Sequence, residues 1–165
     1  MESKDKIIIL IRHAEKISDD YTDLSIKGIA RAECLPKLFS SNGLNYIPTK
    51  LYANLRSKTS TRAYDTLIPL SKKLKLEIEE FQRDNPEQIK DFVFNKLLKD
   101  EHNVILISSS HKVIPVLSEF LGHKVKASKN NDKFFIWKNG EFFMKGKQSK
   151  YIGQDIDEWL KNHKE

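Results

Sequence analysis

The apolar run from Ile7 to Ile11 constrains this chain more than any other stretch. It does not alternate with polar residues, as a strand wet on one face would, and it is rich in β-branched side chains. Such a run suits a strand covered on both faces, the situation of a parallel sheet sandwiched between helices. "NVILISSS", from Asn103 to Ser110, repeats the pattern.

Helical periodicity fills the intervals between strand candidates. Ser25 is placed as the N-cap of a helix in which Ile26, Ile29 and Ala30 share a face, and Pro36 predicts a kink or an early end. "TKLYAN" reads as a strand, followed by a helix from about Ser60 to Leu74, a short strand in "LEIEEF" and a helix starting near Pro86. "VIPVLSEFLG" is helical and closes at Gly122, and "KFFIWKNGEFFMKG" is a hairpin turning at Asn139-Gly140. The tail "GQDIDEWLKNHKE" is an amphipathic helix with Ile156, Trp159 and Leu160 inward. No repeat, low-complexity linker or boundary interrupts the series. A single domain over residues 1–165 is expected, a three-layer α/β/α sandwich around a mostly parallel central sheet.

Composition excludes several classes. Hydrophobic residues make up 39% and charged residues 32%, a balance typical of soluble globular chains. No apolar run approaches bilayer length, and "MESKDK" lacks the apolar core of a secretory signal. One cysteine, Cys34, cannot form an internal disulfide; it reads as a small packing residue, and a cytoplasmic location is expected. The net charge of +6 favours anionic ligands. Lysines are nevertheless interspersed with acids, as in "LSKKLKLEIEE", which describes solvated helix faces and argues against a nucleic-acid stripe.

The chemistry sits where the two buried strands end. "ILIRHAEK" and "ILISSSH" each deliver a histidine, His13 and His111, at the carboxyl end of a strand, where ligand sites of open α/β sheets gather. Arg12 beside His13 repels a metal ion but matches phosphate oxygens with its planar fork. A neutral imidazole can attack phosphorus while arginine and a second, protonated histidine hold the equatorial oxygens. Neither metal nor cofactor is expected.

Four segments in order resemble the histidine phosphatase superfamily, the phosphoglycerate-mutase-like proteins that form a phosphohistidine. They are "LIRHAEK", "LSIKGIARA", "LYANLRSKTSTRAYDT" and "VILISSSHKVIP", spanning residues 6 to about 122. The resemblance implies that His13 is the nucleophile, Arg12 a phosphate ligand, Arg62 the second phosphate-binding arginine and His111 the second histidine. Arg56, in the same loop as Arg62, is a rival for its role. The general acid stays open among Glu15, Glu79, Glu80, Glu87 and none. One branch of the family has aspartate directly after the second histidine, where this chain has Lys112, a candidate for binding an acidic substrate or leaving group.

The expected activity is a phosphatase acting on phosphomonoesters or other phosphorylated substrates, small molecules or phosphoproteins. Alternatives are a phosphohistidine-protein phosphatase, a mutase-type phosphotransferase and a non-catalytic phospho-ligand module. The family's phosphoglycerate mutases are longer and shield the phosphoenzyme, so a compact chain favours hydrolysis. Elsewhere, His102, His123 and His163 read as surface residues and Arg31 as a helix-surface ion-pair partner. Gly28 permits close approach of helix and loop, and "HKVKASKNNDK" is a solvated connection.

Overall fold

Strands and helices alternate along the computed structural model, which describes residues 5–18, 20–126 and 131–163. In chain order they are β1 (Ile7–Arg12), α1 (Ile26–Leu38), β2 (Lys50–Asn54), α2 (Arg62–Leu74), β3 (Ile78–Phe81) and α3 (Pro86–Phe92). There follow β4 (Val104–Ser109), α4 (Val113–Phe120), β5 (Lys133–Lys138), β6 (Glu141–Lys147) and α5 (Ser149–Asn162). The strands form one sheet in the order β3-β2-β4-β1-β5-β6. The first four are parallel, and the hairpin β5-β6 adds two antiparallel strands at one edge.

The continuous apolar runs are explained by this arrangement. In β1, Ile7, Ile9 and Ile11 pack toward α1, α2 and α5, while Ile8 and Leu10 pack toward α3 and α4. Each such side chain, removed from water, contributes about 1.5–3 kcal/mol before chain entropy is counted. β1 and β4 are direct neighbours, with Ile7 opposite Val104 and Arg12 opposite Ser109. Their carboxyl ends, and the histidines that follow, therefore emerge on the same edge.

Most turns follow local chemistry. Asn139 and Gly140 both have positive φ, 52° and 84°, as the two-residue hairpin requires. Ser25 caps α1, its Oγ accepting from the Gly28 N–H at 3.1 Å. Three boundaries differ from sequence expectation. α1 continues two residues past Pro36, to Leu38, and closes with Phe39 N–H donating to Leu35 C=O at 2.9 Å. The helix begun at Pro86 widens into a π-helical turn over Val93–Leu97, in which Val93 and Leu97 are both buried. α5 starts at Ser149, ahead of the predicted tail helix, because Asp132 accepts from the Ser149 N–H (2.9 Å) and Oγ (2.5 Å).

Gly28 meets its expectation. A Cβ there would lie 2.2 Å from the Glu15 carbonyl oxygen, which also accepts from Ser25 N–H at 2.8 Å. Neither backbone can yield without losing that contact. Gly28→Ala is expected to lower stability by about 2 kcal/mol, read as a reduced urea midpoint. An unchanged midpoint would show that the segment after β1 moves freely.

Candidate active site

His13 follows β1 directly and is only 3% exposed. Its backbone is held on both sides: its N–H donates to Ser109 C=O of β4 at 3.0 Å, and its carbonyl accepts from Asn131 Nδ2 at 2.8 Å. The next N–H, on Ala14, donates to Thr66 Oγ1 at 2.8 Å, and that hydroxyl donates to Arg62 C=O at 2.7 Å. The threonine of "RAYDT" thus ties the histidine loop to the first turn of α2, which carries Arg62. At the neighbouring strand end, Asn54 Oδ1 accepts from Ser110 N–H at 2.8 Å and fixes the approach to His111.

The His13 ring makes one decisive contact. Nδ1 lies 2.7 Å from Ala14 C=O. A carbonyl only accepts, so Nδ1 carries the proton and Nε2 the lone pair. Burial, opposed by the Ala14 hydrogen bond and reinforced by the charges of Arg12, Arg62 and Lys16, lowers the ring's pKa from 6.5 to about 4. The ring is therefore neutral at physiological pH.

His13 and His111 line one cavity of about 260 Å³, together with Lys16, Arg62, Arg83 and Lys112. Thr59, Ser60 and Ser110 complete the wall. Arg62 is 7% exposed and is clamped by its guanidinium: Nη2 donates to the carbonyls of Ser18 (3.2 Å) and Tyr21. Its Nε and the Ser110 hydroxyl, both buried, find no hydrogen-bond partner among the described residues. Buried donors in that condition suit an anion. Arg12, at the end of β1, is half-buried; burial and the Arg62 charge hold its pKa below the ordinary guanidinium value despite Glu15. No carboxylate of the described residues lines the cavity.

The carboxylates proposed as acids lie elsewhere. Glu15 is bound by Arg31 through Nε (2.8 Å) and Nη2 (3.0 Å). Burial raises its pKa, but the Arg31 hydrogen bonds and charge outweigh that and leave it below the usual value, the wrong direction for a proton donor. Glu79, Glu80 and Glu87 line a separate hollow of about 530 Å³. Glu79 is paired with Lys50 and Lys96 at 2.9 Å each. Glu80 takes Arg56, which donates its backbone N–H and guanidinium to the carboxylate and lies 3.8 Å from the Tyr64 ring centroid. Arg56 is thereby held at Glu80 and does not line the cavity, whereas Arg62 does.

Arg31 is also corrected, because it is 5% exposed and not a surface residue. Besides Glu15 it binds Asp132 at 2.7 Å and Gln148 at 3.0 Å. The connection "HKVKASKNNDK" is likewise more than solvated chain at its far end, where Asn131 and Asp132 do this work; residues 127–130 lie outside the described ones. The other surface expectations agree with the structure. His102 pairs with Asp100, His123 stacks on Phe142 and His163 on Trp159. Cys34 is buried, and burial first of all raises its thiol pKa to about 11.

The sequence pointed to Thr66 through "RAYDT" but gave no role to Arg83, Lys16, Asn54 or Asn131. Arg83 had a usable signal, since it stands two residues beyond β3, at the carboxyl edge of a parallel strand. Asn131 had none; its partner is 118 residues away.

Solved structures share this architecture. A phosphoglycerate mutase from Bacillus anthracis str. Sterne superposes with a TM-score of 0.63 at 14% identity, over 93% of this chain and 97% of that one. This chain has the histidine phosphatase fold. Mycobacterial glucosyl-3-phosphoglycerate phosphatase matches with a TM-score of 0.58 at 11% identity, over 79% and 89%. A phosphoserine phosphatase mutant from Entamoeba histolytica, in complex with phosphoserine, matches with a TM-score of 0.56 at 12% identity, over 84% and 94%. No protein-family model and no curated protein matches the chain. Among the described residues no helix is long and apolar enough to cross a membrane.

The His13 ring supplies a pH prediction. Because its folded pKa is depressed, its contribution to stability is present above pH 6.5 and is lost as pH falls toward 4. The interval corresponds to on the order of 3 kcal/mol. Ring-nitrogen NMR of the protein without phosphate should show His13 titrating near 4. A midpoint near 6.5 would mean that the ring is neither buried nor held as described.

Proposed function

We propose that this chain is a phosphatase that hydrolyses phosphate monoesters or other phosphorylated substrates through a phosphohistidine on His13, without a metal ion. The observation that carries the reading is the His13 ring: buried, neutral, with Nδ1–H bound to Ala14 and the Nε2 lone pair left for phosphorus. Nε2 attacks in line, forming the N–P bond as the P–O bond to the leaving group breaks with its electron pair. Arg12, Arg62 and His111 hold the transferring oxygens. Water then cleaves the N–P bond, releasing phosphate and restoring the neutral ring. His111 and Lys112 are exposed at the mouth, so water has access. The cations of the lining provide the charge stabilisation that a divalent metal supplies in other phosphoryl-transfer sites.

The absence of a carboxylate from the described lining decides which substrates turn over fastest. Leaving groups that need no proton, such as an aryl oxide, an acyl oxygen or a phosphohistidine nitrogen, are favoured over alkoxides. The test is phosphate release from p-nitrophenyl phosphate and from an alkyl phosphate, with chelator present. Metal-independent turnover that is much faster on the aryl ester supports the reading. Loss of turnover on chelation, or equal rates on both esters, counts against it. The same bare lining favours one second reading, a phospho-ligand binding module, which predicts phosphate binding by folded protein that turns over neither ester.

A further inference from the structure

The cavity carries more positive charge than one phosphoryl group requires. Lys16, Arg62 and His111 of the lining, with Arg12 at the end of β1 behind it, suffice to surround three phosphoryl oxygens, yet Arg83 and Lys112 also line the wall. The other described arginines with side-chain partners are committed: Arg31 to carboxylates, Arg56 to Glu80, Arg62 to the carbonyls of Ser18 and Tyr21. Arg83 is half-buried, and neither its side chain nor that of Lys112 has a carboxylate partner among the described residues. A guanidinium held partly out of water with no counter-charge is costly unless a ligand supplies one. The two residues reach the cavity from different strands: Arg83 follows β3, three places from β1 in the sheet order, and Lys112 follows His111 after β4, at the exposed rim.

We propose that Arg83 and Lys112 form a second anion subsite, and that the substrate is a phosphorylated molecule bearing a further anionic group, a carboxylate or a second phosphate, near the one transferred. The inference rests on the phosphatase reading for what is transferred, but not for what is bound. A planar arginine fork takes either anion bidentately, and Lys112 adds a point charge at the exposed rim. With no carboxylate nearby, a neutral or cationic substituent on the substrate gains nothing from this wall.

The test uses ligands that cannot be hydrolysed. Calorimetric titration compares 2-carboxyethylphosphonate with propylphosphonate, and methylenediphosphonate with ethylphosphonate, in the wild type, Arg83→Gln, Arg83→Lys and Lys145→Gln. Lys145 lies on β6, away from the cavity lining, and controls for loss of overall charge. A charged hydrogen-bonded pair predicts that the wild type binds at least one doubly anionic ligand about tenfold or more tighter than its mono-anionic partner. Arg83→Gln should bring that ratio close to one, Arg83→Lys should restore part of it, and Lys145→Gln should keep it. A larger ratio for the carboxylate pair identifies a carboxylate as the second group, and a larger ratio for the diphosphonate identifies a phosphate. Ratios near one in the wild type, or an equal fall in Lys145→Gln, overturn the subsite. Failure of p-nitrophenyl phosphate turnover would remove the phosphatase reading and leave these binding ratios to be decided on their own.

Discussion

His13→Ala is expected to abolish turnover of p-nitrophenyl phosphate, with kcat/KM falling about a thousandfold or more. The ring lines the cavity, is neutral, and spends only Nδ1 on the Ala14 carbonyl, leaving the Nε2 lone pair for phosphorus. The variant should fold. The ring's burial is unfavourable for its charged form, and its single hydrogen bond goes to the adjacent Ala14 carbonyl. The backbone ties of residue 13 to Ser109 and Asn131 do not involve the ring at all. Phosphate binding should persist through Arg62, so binding and chemistry separate in one variant. Retention of activity within tenfold, in a protein of unchanged melting temperature, would place the nucleophile elsewhere.

The second large effect is structural. Arg31→Met is expected to cost about 3–5 kcal/mol, because it strips a buried cation from two carboxylates and a side-chain amide. For a chain of this size that corresponds to a fall in melting temperature of about 10 °C. Glu15 and Asp132 have side chains only 19% and 11% exposed, so neither can recover full hydration once the guanidinium is gone. Burial opposes the Arg31 charge, yet the bonds to Glu15 and then Asp132 raise its pKa above the ordinary guanidinium value. Glu15, held below its ordinary pKa, gives the sign with pH. The stability from this pair is present above the unfolded carboxylate value and is lost as pH falls through the folded one. Arg31→Lys should recover only part, since a single ammonium cannot span Glu15, Asp132 and Gln148 together. A cost below about 1 kcal/mol for Arg31→Met would show that the network is better hydrated than its burial implies.

That His13, Arg62 and His111 gather at one cavity was legible in the sequence because those residues obey local rules. A doubly buried strand is visible as an unbroken apolar run, and the residue that follows such a strand must emerge at the carboxyl edge. His13 and His111 were therefore legible as a pair before any register was known. "RAYDT" ranked Arg62 over Arg56, and Thr66 supplies the reason, holding Ala14 N–H and Arg62 C=O on one hydroxyl. Arg31, by contrast, looks like any arginine on a polar helix face. Its burial depends on Asp132 and Gln148, more than 100 residues away, which no helical period encodes. Glu15 misled for the same reason: proximity to His13 in sequence says nothing about which side of the backbone its carboxylate takes. The π-helical turn after α3 likewise goes with the burial of both Val93 and Leu97 in the core on that face of the sheet, a tertiary matter.

The proposed reaction passes through a covalent phosphohistidine, and the stereochemistry at phosphorus tests that most directly. The measurement is hydrolysis of an isotopically chiral aryl phosphorothioate in isotopically labelled water, with the configuration of the released thiophosphate determined by NMR. Attack by His13 followed by attack of water comprises two in-line displacements, each inverting the centre. Overall retention is the predicted result, and it does not depend on how briefly the phosphoenzyme lives. Overall inversion would show that water attacks the substrate directly and would contradict a nucleophilic His13.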